Sequence, residues 1–132
     1  MRRAGIILIV AAAAALVASA IAAAHTKVYF NTLSIRTATE AGNFHFKGNV
    51  GSSKPACRAG RRVTVYLKTP AGPEKTGAAT TTADGKWDLD TGGGLIAVGS
   101  YYAQMGRKVL RHGGGHYHAC AAVKTPPLKI AA

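Results

Sequence analysis

Carboxylates are scarce in this chain. Five Asp and Glu stand against 17 Lys and Arg in 132 residues, a formal charge of +12 at neutral pH. Only one pair, Asp88 and Asp90, falls on one face of a strand, where two carboxylates could serve acid–base work or calcium. Beside Lys86 they read more simply as a solvated cross-strand charge pattern. Cysteine is limited to Cys57 and Cys120, which leaves one disulfide at most. Helical periodicity is lacking throughout, so alternation of period two carries the structural signal. No G-x-S-x-G nucleophile elbow accompanies His112-Gly113-Gly114-Gly115, which excludes the esterase oxyanion-loop reading of that segment. Thr91-Gly92-Gly93-Gly94 lacks the Gly-Lys-Ser/Thr ending of a phosphate-binding loop. No cysteine stands directly after the apolar N-terminal core, so no lipoprotein attachment is expected. The tail Pro126–Ala132 has no second span and no sorting pattern.

What is present begins with an export signal over residues 1–24. Arg2 and Arg3 give a positive start, Ile6 to Val17 an apolar core, and Ala22-Ala23-Ala24 the small residues that precede cleavage. The expected cleavage lies between Ala24 and His25, with Ala20/Ile21 as the other option. Ala4 to Ala24 carries no charge and is long enough for an uncleaved anchor. However, its second half is nearly all Ala, and its strongly apolar part has the length of a signal core rather than a span. The working chain is then one domain, residues 25–132, secreted to the extracellular side and with no membrane span.

Without Arg2 and Arg3 the balance is 15 basic to 5 acidic residues, a formal +10. Such a charge favours anionic partners, and it also keeps a surface soluble. In an oxidising compartment Cys57 and Cys120 are expected to form a disulfide. On the chain-entropy account, closing a loop of about 62 residues contributes roughly 4 kcal/mol.

Alternation marks the strands. Phe44, Phe46, Gly48 and Val50 form one apolar row, and Val63, Val65 and Leu67 another. Trp87 and Leu89 make a third, and Tyr101, Ala103 and Met105 a fourth. Tyr117 to Val123 and Lys27 to Arg36 are further strands. In the latter the apolar parity switches between Phe30 and Leu33, which predicts a bulge or break. Thr76 to Thr82 fits an edge strand. Pro70-Ala71-Gly72-Pro73 should interrupt any ladder, and Ala83-Asp84-Gly85 should turn a hairpin into the Trp87 strand. Leu95-Ile96-Ala97-Val98 is either an exposed contact patch or core tucked under the sandwich edge.

The order Gly48-x-Val50, Gly60-Arg61-Arg62-Val63-x-Val65-Tyr66, a Thr run, Asp84-Gly85-Lys86-Trp87 and Gly99-Ser100-Tyr101-Tyr102-Ala103 resembles the transthyretin-like (prealbumin-like) sandwich of carboxypeptidase regulatory-like domains. The resemblance covers about residues 43–130. Small secreted bacterial proteins of that type carry cysteines placed like Cys57 and Cys120. It implies a binding, spacer or stabilising module, because its motifs are turns and core positions. The enzymatic hydroxyisourate-hydrolase branch requires a C-terminal Tyr-Arg-Gly-Ser, which this chain lacks. The expected fold is all-β, a single antiparallel β-sandwich of transthyretin-like or Ig-like type with about seven strands.

Two sets of side chains stand out. His116 and His118 lie on one face of a strand, near enough to share zinc or copper, and His112 could swing over on the glycines as a third ligand. The plain alternative is polar surface. Arg58, Arg61 and Arg62 near Cys57, and Arg107, Lys108 and Arg111 upstream of Cys120, should be drawn together by the disulfide into a patch for phosphate or carboxylate groups. Nucleic acid is disfavoured, since only Tyr66 and Tyr102 could stack on bases. The expectation is an exported, non-enzymatic binding or structural accessory protein without a cofactor, contacting an anionic envelope polymer through the basic patch. The alternative is a secreted metal-binding protein using His112–His118, and a small hydrolase ranks third.

Overall fold

The computed structural model describes residues 24–132. The expected leader thus lies outside the described residues except for Ala24. Twelve strands form in this span: β1 (His25–Tyr29), β2 (Thr32–Leu33), β3 (Arg36–Glu40), β4 (Asn43–Gly51), β5 (Arg62–Thr69), β6 (Gly72–Thr80), β7 (Lys86–Asp90), β8 (Gly99–Met105), β9 (Lys108–Gly113), β10 (His116–Cys120), β11 (Val123–Lys124) and β12 (Leu128–Ile130). A 3₁₀ turn at Pro55–Cys57 precedes β5. The fold is all-β as expected, with more strands than seven. Among the described residues no helix is long and apolar enough to cross a membrane.

Two sheets face each other. One runs β11-β8-β5-β6, with β12 also on β8. The other centres on β4, flanked by β2 and β3 along one edge and β7 along the other. The apolar rows of the alternating strands meet between them: Phe46 and Val50 from β4, Val63 and Val65 from β5, Trp87 from β7, and Tyr101, Ala103 and Met105 from β8. Burying one face of each strand fixes its register, because a slip of one residue would turn the whole row to solvent. Tyr102 is buried on the opposite face of β8, stacked on Tyr66 at 5.4 Å, with Lys124 4.6 Å from its ring centroid.

The parity switch after Phe30 is a real break. The segment expected as one strand divides into β1, β2 and the start of β3. At the gap before β3 the Ser34 N–H donates to Asn49 O (3.0 Å), and the Asn49 N–H donates to Ser34 Oγ (2.9 Å). Gly48 permits this close approach, since a Cβ there would lie 1.9 Å from the Ser34 carbonyl oxygen.

Two turn expectations are corrected. Pro70-Ala71-Gly72-Pro73 does not stop the ladder: the turn is Pro70-Ala71 alone, and Gly72 and Pro73 pair with Thr69 and Lys68. Pro73 is accommodated because β6 is an edge strand, where a missing N–H faces no partner. Ala83-Asp84-Gly85 does turn, but β6 and β7 form no hairpin. β6 pairs with β5, and β7 crosses to pair with β4 in the other sheet. Of Leu95–Val98, Ile96 packs against the core, while Leu95 and Val98 are exposed.

A third sheet, β1-β10-β9, stands beside the sandwich. β9 and β10 are an antiparallel hairpin through the Gly113–Gly115 turn, and β1 lies parallel to β10. The Cys57–Cys120 disulfide, with a Cα–Cα distance of 5.5 Å, ties the end of β10 to the 3₁₀ turn. Asn31 Nδ2 donates to Ala121 O (2.7 Å) and Lys108 Nζ to Ala56 O (3.2 Å), which add to this attachment.

Candidate functional site

The third sheet carries a histidine cluster. Side chains two apart on a strand share a face, so His116 and His118 project together from β10. The parallel register sets His25 opposite His116 and Lys27 opposite His118. Nδ1 of His25 lies 2.9 Å from Nδ1 of His116, and Nε2 of His25 lies 2.7 Å from Nε2 of His118. One ring nitrogen from each of the three residues falls within 4.8 Å of the others. His25 is exposed and the other two are half-buried.

Partial burial holds the His116 and His118 imidazoles below their ordinary range. Arg111 and His25 add repulsion at His116, and His25, Arg111, His116 and Lys54 add it at His118. Both effects favour the neutral ring, the form that binds metal. Arg111 is set opposite His118 on β9, and Lys27 lies on the same face. The surroundings are thus basic.

His112, expected as a third member of this group, lies outside it. It pairs with Tyr117, whose side chain points to the other face, and its ring lies edge-on to Tyr117 at 6.0 Å. The third histidine is His25, 91 residues before His116 in the chain. Reading hairpins could not find it, because the β1–β10 pairing is parallel and long-range. The available signal was a histidine directly after the expected cleavage point.

A second group, Glu40, His45 and Asp88, also brings three ligand atoms together. It is a balanced charge network. His45 Nδ1 contacts Asp88 Oδ1 (2.6 Å), Lys47 Nζ lies 3.4 Å from Asp88 Oδ2, and Lys47 also donates to Glu40. The Asp88 hydrogen bond raises the His45 pKa despite burial. Burial pushes the Asp88 carboxyl up, but hydrogen bonds from His45 and Lys47 bring it below the ordinary range. Asp88 and Asp90 thus meet His45 and Lys47 across the sheet, while Lys86 lies 3.6 Å from Asp84.

The six basic residues expected in one patch divide. Arg61, Arg62, Arg107 and Lys108 line an open cleft of about 530 Å³ with Thr64, Tyr66 and Gln104. Among the described residues no carboxylate lines it. Arg61 is 3% exposed, and its guanidinium donates to Cys57 O (2.8 Å) and Gly106 O (2.6 Å). It is therefore a strut between the 3₁₀ turn and the β8–β9 connection, and desolvation lowers its pKa. Arg107 reaches Tyr117 Oη at 3.2 Å. Arg58 lies outside the cleft lining and donates to Ser52 O (2.9 Å). Arg111 sits beside the histidine cluster instead, because β9 carries it to the third sheet.

Compared with known proteins, the chain matches no family model, no curated protein and no solved structure.

Proposed function

We propose that this chain is an exported, non-enzymatic metal-binding protein, a transthyretin-like β-sandwich carrying a site for zinc or copper on its third sheet. The observation that carries this reading is the convergence of His25, His116 and His118, with one nitrogen of each within 4.8 Å of the others. Three imidazoles from two paired strands suit a borderline metal such as zinc or copper. The signal-like leader and the Cys57–Cys120 bridge support an oxidising, extracellular setting. Lys27, Lys54 and Arg111 weaken the attraction for a dication, so binding depends on nitrogen donation rather than on negative charge.

Calorimetric titration with Zn(II) and Cu(II) at neutral pH tests the reading. One ion per chain is expected. Loss of an outer-shell partner alone costs about 10–100-fold in metal affinity, so His116→Ala or His118→Ala should cost at least that, and His112→Ala should cost nothing. Equal affinity in all three variants would remove the site.

The cleft supports a second role, association with an anionic envelope polymer. Its observation is a lining with the three accessible basic side chains Arg62, Arg107 and Lys108 and, among the described residues, no acid. Retention on phosphocellulose at low salt should fall more for Arg62→Gln, Arg107→Gln and Lys108→Gln together than for Lys75→Gln, Lys86→Gln and Lys129→Gln together. Equal falls would assign the retention to net charge.

A further inference from the structure

We infer that removal of the leader after Ala24 completes the metal site, by freeing the α-amine of His25 to chelate copper(II) together with its own Nδ1. The inference rests on the metal-binding reading above and on cleavage between Ala24 and His25.

The backbone nitrogen of His25 is placed for this role. It donates to Gly115 O at 3.0 Å, at the tip of the hairpin that carries His116. Exposed Ala24 packs on the same turn, and a Cβ added to Gly115 would lie 3.1 Å from Ala24 Cβ. While Ala24 is attached, that nitrogen is an amide. Its lone pair is delocalised into the peptide bond, so it is a far poorer metal donor than an amine. Cleavage converts it into a primary amine, whose ordinary pKa of about 7.7–8.0 lets a metal displace its proton near neutrality. The amine and Nδ1 of one histidine are joined through Cα, Cβ and Cγ, so both can close a six-membered ring on one ion without rearranging the backbone.

The donor set then comprises the amine, His25 Nδ1, one nitrogen of His116 and one of His118. Nδ1 of His25 and Nδ1 of His116 are 2.9 Å apart. Two nitrogens about 2.0 Å from a metal are about 2.8 Å apart at a right angle and about 3.3 Å apart at a tetrahedral angle. The separation is that of an N–H···N hydrogen bond and equally fits neighbours in a tetragonal site, the preference of copper(II) with nitrogen ligands, so an ion could replace the shared proton with little movement. His118 meets His25 at Nε2 (2.7 Å), across the ring from Nδ1, so it joins as the third imidazole after a side-chain rotation that brings one of its nitrogens to the ion. The groups facing the cluster are Lys27 on β1, Arg111 on β9 and Lys54 from the loop after β4. No acid faces it among the described residues, so the gain comes from the chelate.

The test compares three forms in Cu(II) titrations against a competing chelator: the full chain, residues 25–132 with the α-amine acetylated, and residues 25–132 with the amine free. Every described strand, the shared core and the disulfide lie within residues 25–132, so the two shorter forms retain the described fold. Circular dichroism and thiol counting confirm that each is folded and bridged. Chelation raises effective concentration, so the free-amine form should bind Cu(II) on the order of 100-fold more tightly than the other two. Its electron paramagnetic resonance spectrum should be tetragonal with nitrogen coupling. In the free-amine form, His25→Ala retains an amine but loses the ring, and should bind no better than the acetylated form. Equal affinity of the acetylated and free-amine forms would overturn the amine chelate while leaving the three-histidine site standing. No Cu(II) binding by either form would overturn both.

Discussion

Removing the disulfide with Cys57→Ser and Cys120→Ser tests how the histidine-bearing sheet is held. The bridge spans a sequence separation of 63. On the chain-entropy account, a loop of that length restricts the unfolded chain by about 4 kcal/mol at 25 °C. Domains of this size are stable by only about 5–15 kcal/mol in total. With a urea m-value of about 1–2 kcal/mol per M, the midpoint should fall by about 2–4 M. Both cysteines are fully buried, and Cys120 closes β10 two residues after His118. The variant should therefore also lose metal affinity. Urea unfolding followed by Trp87 fluorescence, with and without reductant, reads the stability directly. The double variant and reduced wild type should coincide. A midpoint within about 0.5 M of oxidised wild type, less than a quarter of the expected shift, would refute the view that this bridge anchors the third sheet.

Three further outcomes are expected. Gly48→Ala should destabilise by about 3 kcal/mol or more, since its Cβ would meet the Ser34 carbonyl oxygen and the Trp87 indole nitrogen and only a shift of backbone relieves the overlap; a thermal melt unchanged from wild type would contradict this. His45 has a raised pKa, so its pairing with Asp88 stabilises fully below about pH 6.5 and is lost as pH rises through the folded-state value, while the depressed Asp88 pKa makes the same pairing fail as pH falls below about 3.8. The melting-temperature gap between wild type and His45→Gln should be wider at pH 5.5 than at pH 8.5, and the reverse order would refute that assignment. Zinc affinity should hold at neutral pH and fall on acidification as His116 and His118 protonate, with the loss setting in below the ordinary imidazole value of about 6.5 because both are lowered, which calorimetry at stepped pH would check.

The core was legible because it depends on local alternation. Phe46, Val50, Val63, Val65, Trp87, Tyr101, Ala103 and Met105 all sit where period two places them. The break after Phe30 was legible for the same reason. Partner choice was not legible: Asp84-Gly85 specifies a turn, but nothing local states that β7 leaves the sheet of β6. β9 was missed because Lys108-Val109-Leu110-Arg111-His112 does not alternate. His116 and His118 could be paired from their spacing, whereas His25 joins them only through a long-range parallel strand. Arg61 resembles a surface cation in sequence, yet backbone carbonyls of Cys57 and Gly106 take it inside.

The most direct test of the central claim is a side-chain nuclear magnetic resonance titration of residues 25–132 with Zn(II), following all five histidines. The imidazole signals of His25, His116 and His118 should move together and saturate at one equivalent, while His45 and His112 stay in place. Movement of His112 in place of His25, or no movement at all, would contradict the account.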